Sequence, residues 1–120
     1  MNYQIISKDC TRYIEVFSCE APVSSEHDAL DLVALCGEND INLLLLHYEV
    51  LSEDFFKLKT GVAGAVMQKF INYSVRVAII IPDQEQLSTN LKAWVSEANR
   101  SSQYRVFTYS ADAVDWLIHP

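Results

Sequence analysis

A chain of 120 residues, half of them hydrophobic and 21% charged, is sized for one domain around one core, residues 1–120. With three glycines and three prolines it is no loop-rich or disordered chain, and no apolar run approaches the roughly 18–20 residues that span a bilayer. The net charge of −7 argues against nucleic acid and against an anionic membrane surface as partners.

Asn2–Ser7 and Arg12–Ser18 alternate in side-chain type around the polar tetrad Lys8-Asp9-Cys10-Thr11, which predicts a hairpin. No basic-then-apolar leader precedes it, so a cytoplasmic protein is expected. Ser25 caps a predicted helix to about Cys36, with Glu26 and Asp28 favoured by the helix dipole in its first turn. Ala29, Leu32, Val33 and Cys36 form its buried stripe, and Gly37 is expected to end it. Ile41–Tyr48 is a continuous apolar run, as in a central strand covered on both faces.

Ser52 then caps a short helical turn, followed by a helix over Thr60–Asn72 with Ala63, Val66, Met67 and Phe70 inward. Val75–Ile81 is a second buried strand, stopped by Pro82. Leu91, Trp94, Val95 and Ala98 carry helical spacing within Gln84–Arg100. Tyr104–Tyr109 reads as a strand, and Ser110 as the cap of a last helix with Ala113, Val114 and Leu117 inward. The order predicts an α/β fold: a mixed, mainly parallel sheet of about five strands, an N-terminal hairpin and about four helices.

The cysteines are three, an odd number that points to free thiols. Cys10 and Cys19 flank a strand, about nine steps of about 3.3 Å, beyond the roughly 7 Å between Cα atoms that a disulfide allows. No metal-ligand spacing, P-loop or dinucleotide fingerprint occurs. No metal and no cofactor are therefore expected, and no catalytic set: His27, His47 and His119 are scattered and Cys36 is on a core stripe. Charge changes sign along the chain. Glu20–Asp54 holds nine acids and no Lys or Arg, whereas Phe55–Pro82 holds Lys57, Lys59, Lys69 and Arg76 and no acid. Two oppositely charged solvated faces explain this, or a dipolar surface that orients a partner or a second copy of the chain.

The element order resembles the STAS-like fold of anti-sigma-factor antagonists and their SpoIIAA-like relatives. Leu51, Phe55, Phe56, Leu58, Thr60, Gly61, Ala63, Gly64, Gln68, Lys69, Phe70 and Tyr73 resemble the signature of an uncharacterised bacterial family, DUF4180. Glu97-Ala98-Asn99-Arg100 is similar to that family's E-S-N-R at the end of its third helix, and Ala113, Trp116 and Leu117 suit it too. Where that family ends its fourth strand in Val-Gly-Asp, this chain has the longer Ile80-Ile81-Pro82-Asp83.

Those residues define the candidate surface: Lys57, Lys59, Thr60, Gly61, Gly64, Gln68 and Lys69, with Glu97, Asn99 and Arg100 as a second polar cluster. Thr60 reads as a helix N-cap, and the STAS resemblance implies instead a phosphoacceptor there. Gly61 and Gly64 read as packing glycines that allow close approach of another element. Phe55, Phe56 and Leu58 read as core. The sequence thus predicts a noncatalytic regulatory or interaction domain whose partner is a protein or itself. The alternative is a small-molecule binder, or an enzyme, with a pocket for an anionic or apolar ligand at the strand-end rim formed by His47–Asp54 and Pro82–Gln86, bordered by Thr60, His47 and Pro82.

Overall fold

The apolar runs do form the middle of a sheet. The computed structural model describes residues 1–119. Its strands are β1 (Asn2–Lys8), β2 (Thr11–Ser18), β3 (Leu43–His47), β4 (Arg76–Ile80) and β5 (Tyr104–Phe107), laid side by side in that order. β1 is antiparallel to β2, and β2, β3, β4 and β5 are mutually parallel. The hairpin turns at Asp9 and Cys10, both with positive φ (51° and 65°). That pair of signs gives the two-residue turn whose twist matches the strands.

The helices are α1 (Glu26–Asn39), α2 (Glu53–Phe56), α3 (Val62–Asn72), α4 (Thr89–Ala98) and α5 (Ser110–Ile118). Ile14, Val16, Leu44, Leu46, Val77 and Ile79 cover one face of the sheet and bury the inward stripes of α1, α3 and α4. Tyr13, Leu45, Ala78 and Ile80 cover the other, against Ala113, Val114, Leu117 and Ile118 of α5. The strict alternation along each strand divides the residues between the two layers. Each fully buried Leu or Ile stabilises by about 1.5–3 kcal/mol, so both central strands need both covers.

Several boundaries differ from the sequence expectation, each for a local reason. α1 runs through Gly37 to Asn39 and stops where Asp40 takes φ 54°. Ile41 N–H then reaches Cys36 O at 3.0 Å, closing the helix end in the usual left-handed motif without a glycine. α3 starts two residues late because Gly61 at φ 73° cannot be its first helical turn, and Thr60 ends a 3₁₀ turn over Leu58–Thr60. The single helix expected over Gln84–Arg100 is a 3₁₀ turn, Gln84–Gln86, and then α4 capped by Ser88, whose Oγ accepts from Leu91 N–H at 3.2 Å. Ser110 is the first residue of α5 and not its cap, a position held by Tyr109 without a side-chain bond. Among the described residues no helix is long and apolar enough to cross a membrane.

Candidate functional site

Parallel strands end together, and the loops that leave them define a rim. β3 and β4 pair as far as His47 and Ile80. From there one chain segment turns through a 3₁₀ turn at Tyr48–Val50 into α2, and the other through Pro82 into the turn at Gln84–Gln86. Between them lies a groove of about 350 Å³ lined by Tyr48, Phe56, Ile81, Pro82, Asp83, Gln86 and Leu87. Its lining is mostly apolar with one charge, Asp83. Phe55, one residue earlier, is fully buried and stacks edge-on against Phe56 (5.4 Å) and Trp94 (5.7 Å). That packing places Phe56 at the groove wall. The core reading is right for Phe55; Leu58 and Phe56 are half-buried against the core, and Phe56 also lines the groove.

Of the expected border residues only Pro82 lines the groove. Strand alternation turns His47 to the opposite face, where its Nε2 lies 2.6 Å from Glu15 Oε2 and its ring stacks on Phe17 at 5.1 Å. This half-buried carboxylate–imidazole pair was not foreseen. The alternation in β2 already put Glu15 and Phe17 on one face, but their neighbour across the sheet depended on β2 pairing with β3. Cys36 packs in the core on the other side of the sheet, and its burial pushes the thiol up to about 11. A Cys36–His47 nucleophile is therefore excluded by geometry. All three cysteines are free.

Thr60 is exposed but its hydroxyl is engaged. Oγ1 lies 2.7 Å from Asp54 O and 2.8 Å from Lys57 O, and it accepts from Val62 N–H at 3.2 Å. The hydroxyl pins the Lys57–Thr60 turn to the end of α2, and Gly61, not Thr60, is the N-cap of α3. Lys57 and Lys59 are exposed on that turn, and neither makes an ion pair among the described residues. Lys69 is half-buried and meets Glu26 of α1 at 3.7 Å. Gln68 is exposed and donates to Asn72 Oδ1 at 2.9 Å. Gly61 and Gly64 are exposed, and a Cβ built on either would meet nothing within 4 Å. The close-approach role expected for them is thus overturned: Gly61 is present for its positive φ, and Gly64 has no neighbour to accommodate.

The second polar cluster stands apart. α4 runs back from the rim, so its end lies with the starts of β4 and β5. There Asn99 Oδ1 accepts from Val106 N–H at 2.9 Å and ties α4 to β5. Glu97 and Arg100 are exposed, joined by the Arg100 N–H to Glu97 O bond at 3.0 Å. The structure therefore brings Lys57, Lys59, Thr60, Gly61 and Gly64 close to the rim and leaves Glu97, Asn99 and Arg100 at the other end of the sheet.

The fold and rim define a small α/β protein with a mixed five-stranded sheet and an apolar strand-end groove. Residues 8–117 match the model of the family described as Domain of unknown function (DUF4180), and the chain belongs to that family. No curated protein and no solved structure matches the chain.

Proposed function

We propose that the protein is a noncatalytic interaction domain of STAS-like kind, which takes an apolar side chain of a protein partner into the strand-end groove. The observation that carries this is the meeting of two features in one short segment. Phe56 forms a wall of the groove, and the next residues bear Lys57 and Lys59, exposed cations without an acidic partner in the described chain. Tyr48 and Pro82, both exposed, offer further apolar area at the mouth. Charges at the rim of an apolar contact select the partner and speed its approach, while the buried anchor supplies affinity. The partner segment is accordingly an acidic one with an aromatic or aliphatic anchor. The acid-only stretch Glu20–Asp54 of a second copy has the right sign, which makes self-association one outcome of the test. The element order, with α2 inserted after β3, supports kinship with STAS-like regulators, which also act by binding.

A display library of random peptides selected on the native chain tests the reading. Binders are expected to carry Asp or Glu around one apolar anchor, and to lose about tenfold or more in affinity on Lys57→Glu/Lys59→Glu, with the unfolding midpoint unchanged. Binders indifferent to the charge reversal, or none at all together with a monomer in sedimentation, would sink it. A groove of about 350 Å³ also lies within the range of small-ligand sites, about 300–1,000 Å³. That supports a second reading, an apolar small molecule in the same groove. Fragment binding that moves Tyr48 and Leu87 resonances, with no peptide binder, favours this second reading.

A further inference from the structure

We propose that Arg76 holds a phosphate-type oxyanion in the cavity at the amino-terminal ends of the parallel strands, on the side of the molecule opposite the groove, with the charge of Arg105 adding to the attraction from outside the lining. Arg76 opens β4 and Arg105 is the second residue of β5; both side chains rise on the α5 face. Both converge on Trp116. The Arg76 guanidinium carbon sits 3.8 Å from the ring centroid and that of Arg105 5.6 Å.

In a chain with 16 acids and nine bases, a half-buried arginine is expected to find a carboxylate. Neither of these does among the described residues. Asp115, on the same helix as Trp116, turns to His119 instead, at 3.2 Å. Burial and the neighbouring Arg105 charge both disfavour the charged form of Arg76. One terminal nitrogen of Arg76 donates to Trp116 O at 2.9 Å and so caps the carboxyl end of α5. That end carries about half an elementary charge, against two full positive charges. The cap accounts for one nitrogen, and Nε is buried with no partner.

Arg76 lines a cavity of about 520 Å³ together with the polar Thr11, Asn42, Ser74, Ser102 and Gln103 on one side and the apolar Leu43, Leu117 and Ile118 on the other, and Arg105 stands behind Arg76 outside the lining. Hydroxyl and amide donors around a guanidinium suit a group with several acceptor oxygens and more than one negative charge. Such an ion would offset the positive charge that the α5 end and the Trp116 ring leave over.

Calorimetric titration of the native chain at low ionic strength is the test, with inorganic phosphate and glycerol phosphate as probes and acetate as control. One-site, saturable binding of a phosphate probe is expected, and none of acetate. Tighter binding of the ester assigns the site to an organic phosphate, and the reverse order to the free ion. Gln103 is exposed and its side chain makes no hydrogen bond among the described residues. Gln103→Glu is therefore expected not to lower the unfolding midpoint and to weaken phosphate by about tenfold or more, and Arg105→Gln to weaken it as well. Phosphate heats no larger than those of acetate, or undiminished affinity in Gln103→Glu, overturn the proposal.

Discussion

Gly61 and Gly64 are three residues apart and do opposite things. Gly61 holds φ 73° at the start of α3, a conformation that costs an L-residue roughly 1–2 kcal/mol. Gly64 lies inside the helix, exposed, with open space where a Cβ would be. Gly64→Ala is expected to stabilise the protein by about 0.4–1 kcal/mol, and Gly61→Ala to destabilise it by about 1–2 kcal/mol, both read from urea midpoints. If Gly64→Ala also weakens peptide binding, the bare helix surface is part of the partner site. A second residue-scale effect is at Asp28, whose carboxylate accepts from Ser24 N–H at 2.9 Å and from the Ser24 and Ser25 hydroxyls. These bonds, the backbone one foremost, hold it below the usual carboxylate range. The stabilisation is present above the unfolded value, about pH 4, and is lost as pH falls through the lowered folded value. Asp28→Asn should flatten the dependence of stability on pH in that acidic window and lower stability at pH 7. An unchanged slope would show that the cap adds nothing.

At the scale of elements, how each helix ends decides where its side chains point. α1 and α3 both close on a non-glycine left-handed residue, Asp40 and Ser74. That is why a glycine rule applied to Gly37 stops α1 too early. α4 is fixed from its end: Asn99 supplies the acceptor for Val106 N–H, on the strand next to Arg105. Asn99→Ala leaves that donor without its partner, a loss of about 1–3 kcal/mol. Native-state hydrogen exchange should show the Val106 amide opening faster, while amides in β2 and β3 keep their protection relative to global unfolding. Equal acceleration everywhere would mean that Asn99 acts through overall stability alone. Its match to a family motif thus has a structural explanation, whereas Arg100 beside it remains exposed.

At the scale of the molecule, the abrupt change of charge at Asp54–Phe55 becomes two different things. α1 packs beside α3, so part of the opposition is satisfied internally, at Lys69–Glu26. Of the part left over, Lys57 and Lys59 stand at the rim and Arg76 at the opposite end of the sheet. Reversing the two lysines is expected to affect association and leave stability within about 0.5 kcal/mol, since each is exposed and outside any described ion pair. A large fall in the unfolding midpoint would instead give these lysines a role in the fold. α1, α3 and α4, joined by Phe55 of α2, cover one face of the sheet and α5 alone covers the other. The outer part of that second face is accordingly where polar groups are found half-buried: Glu15 with His47 at one end, Arg76 with Arg105 at the other.

The chain's local patterns were enough for the element order, the hairpin and the two buried strands, because periodicity and caps act within a few residues; the family was legible only through the resemblance of its motif residues. Cys36 as core was legible from that periodicity, and Phe55 as core from its residue type alone. What tertiary structure alone decided is which residues become neighbours across the sheet. Glu15 meets His47, and Arg76 meets Arg105 and Trp116, over separations of 32, 29 and 40 residues read directly from their numbers. Strand register and the single covering helix set these meetings, and neither is written in any local pattern. The groove follows the same logic. Phe56 and Pro82 each read as ordinary local features, and only the shared end of β3 and β4 makes them two walls of one site.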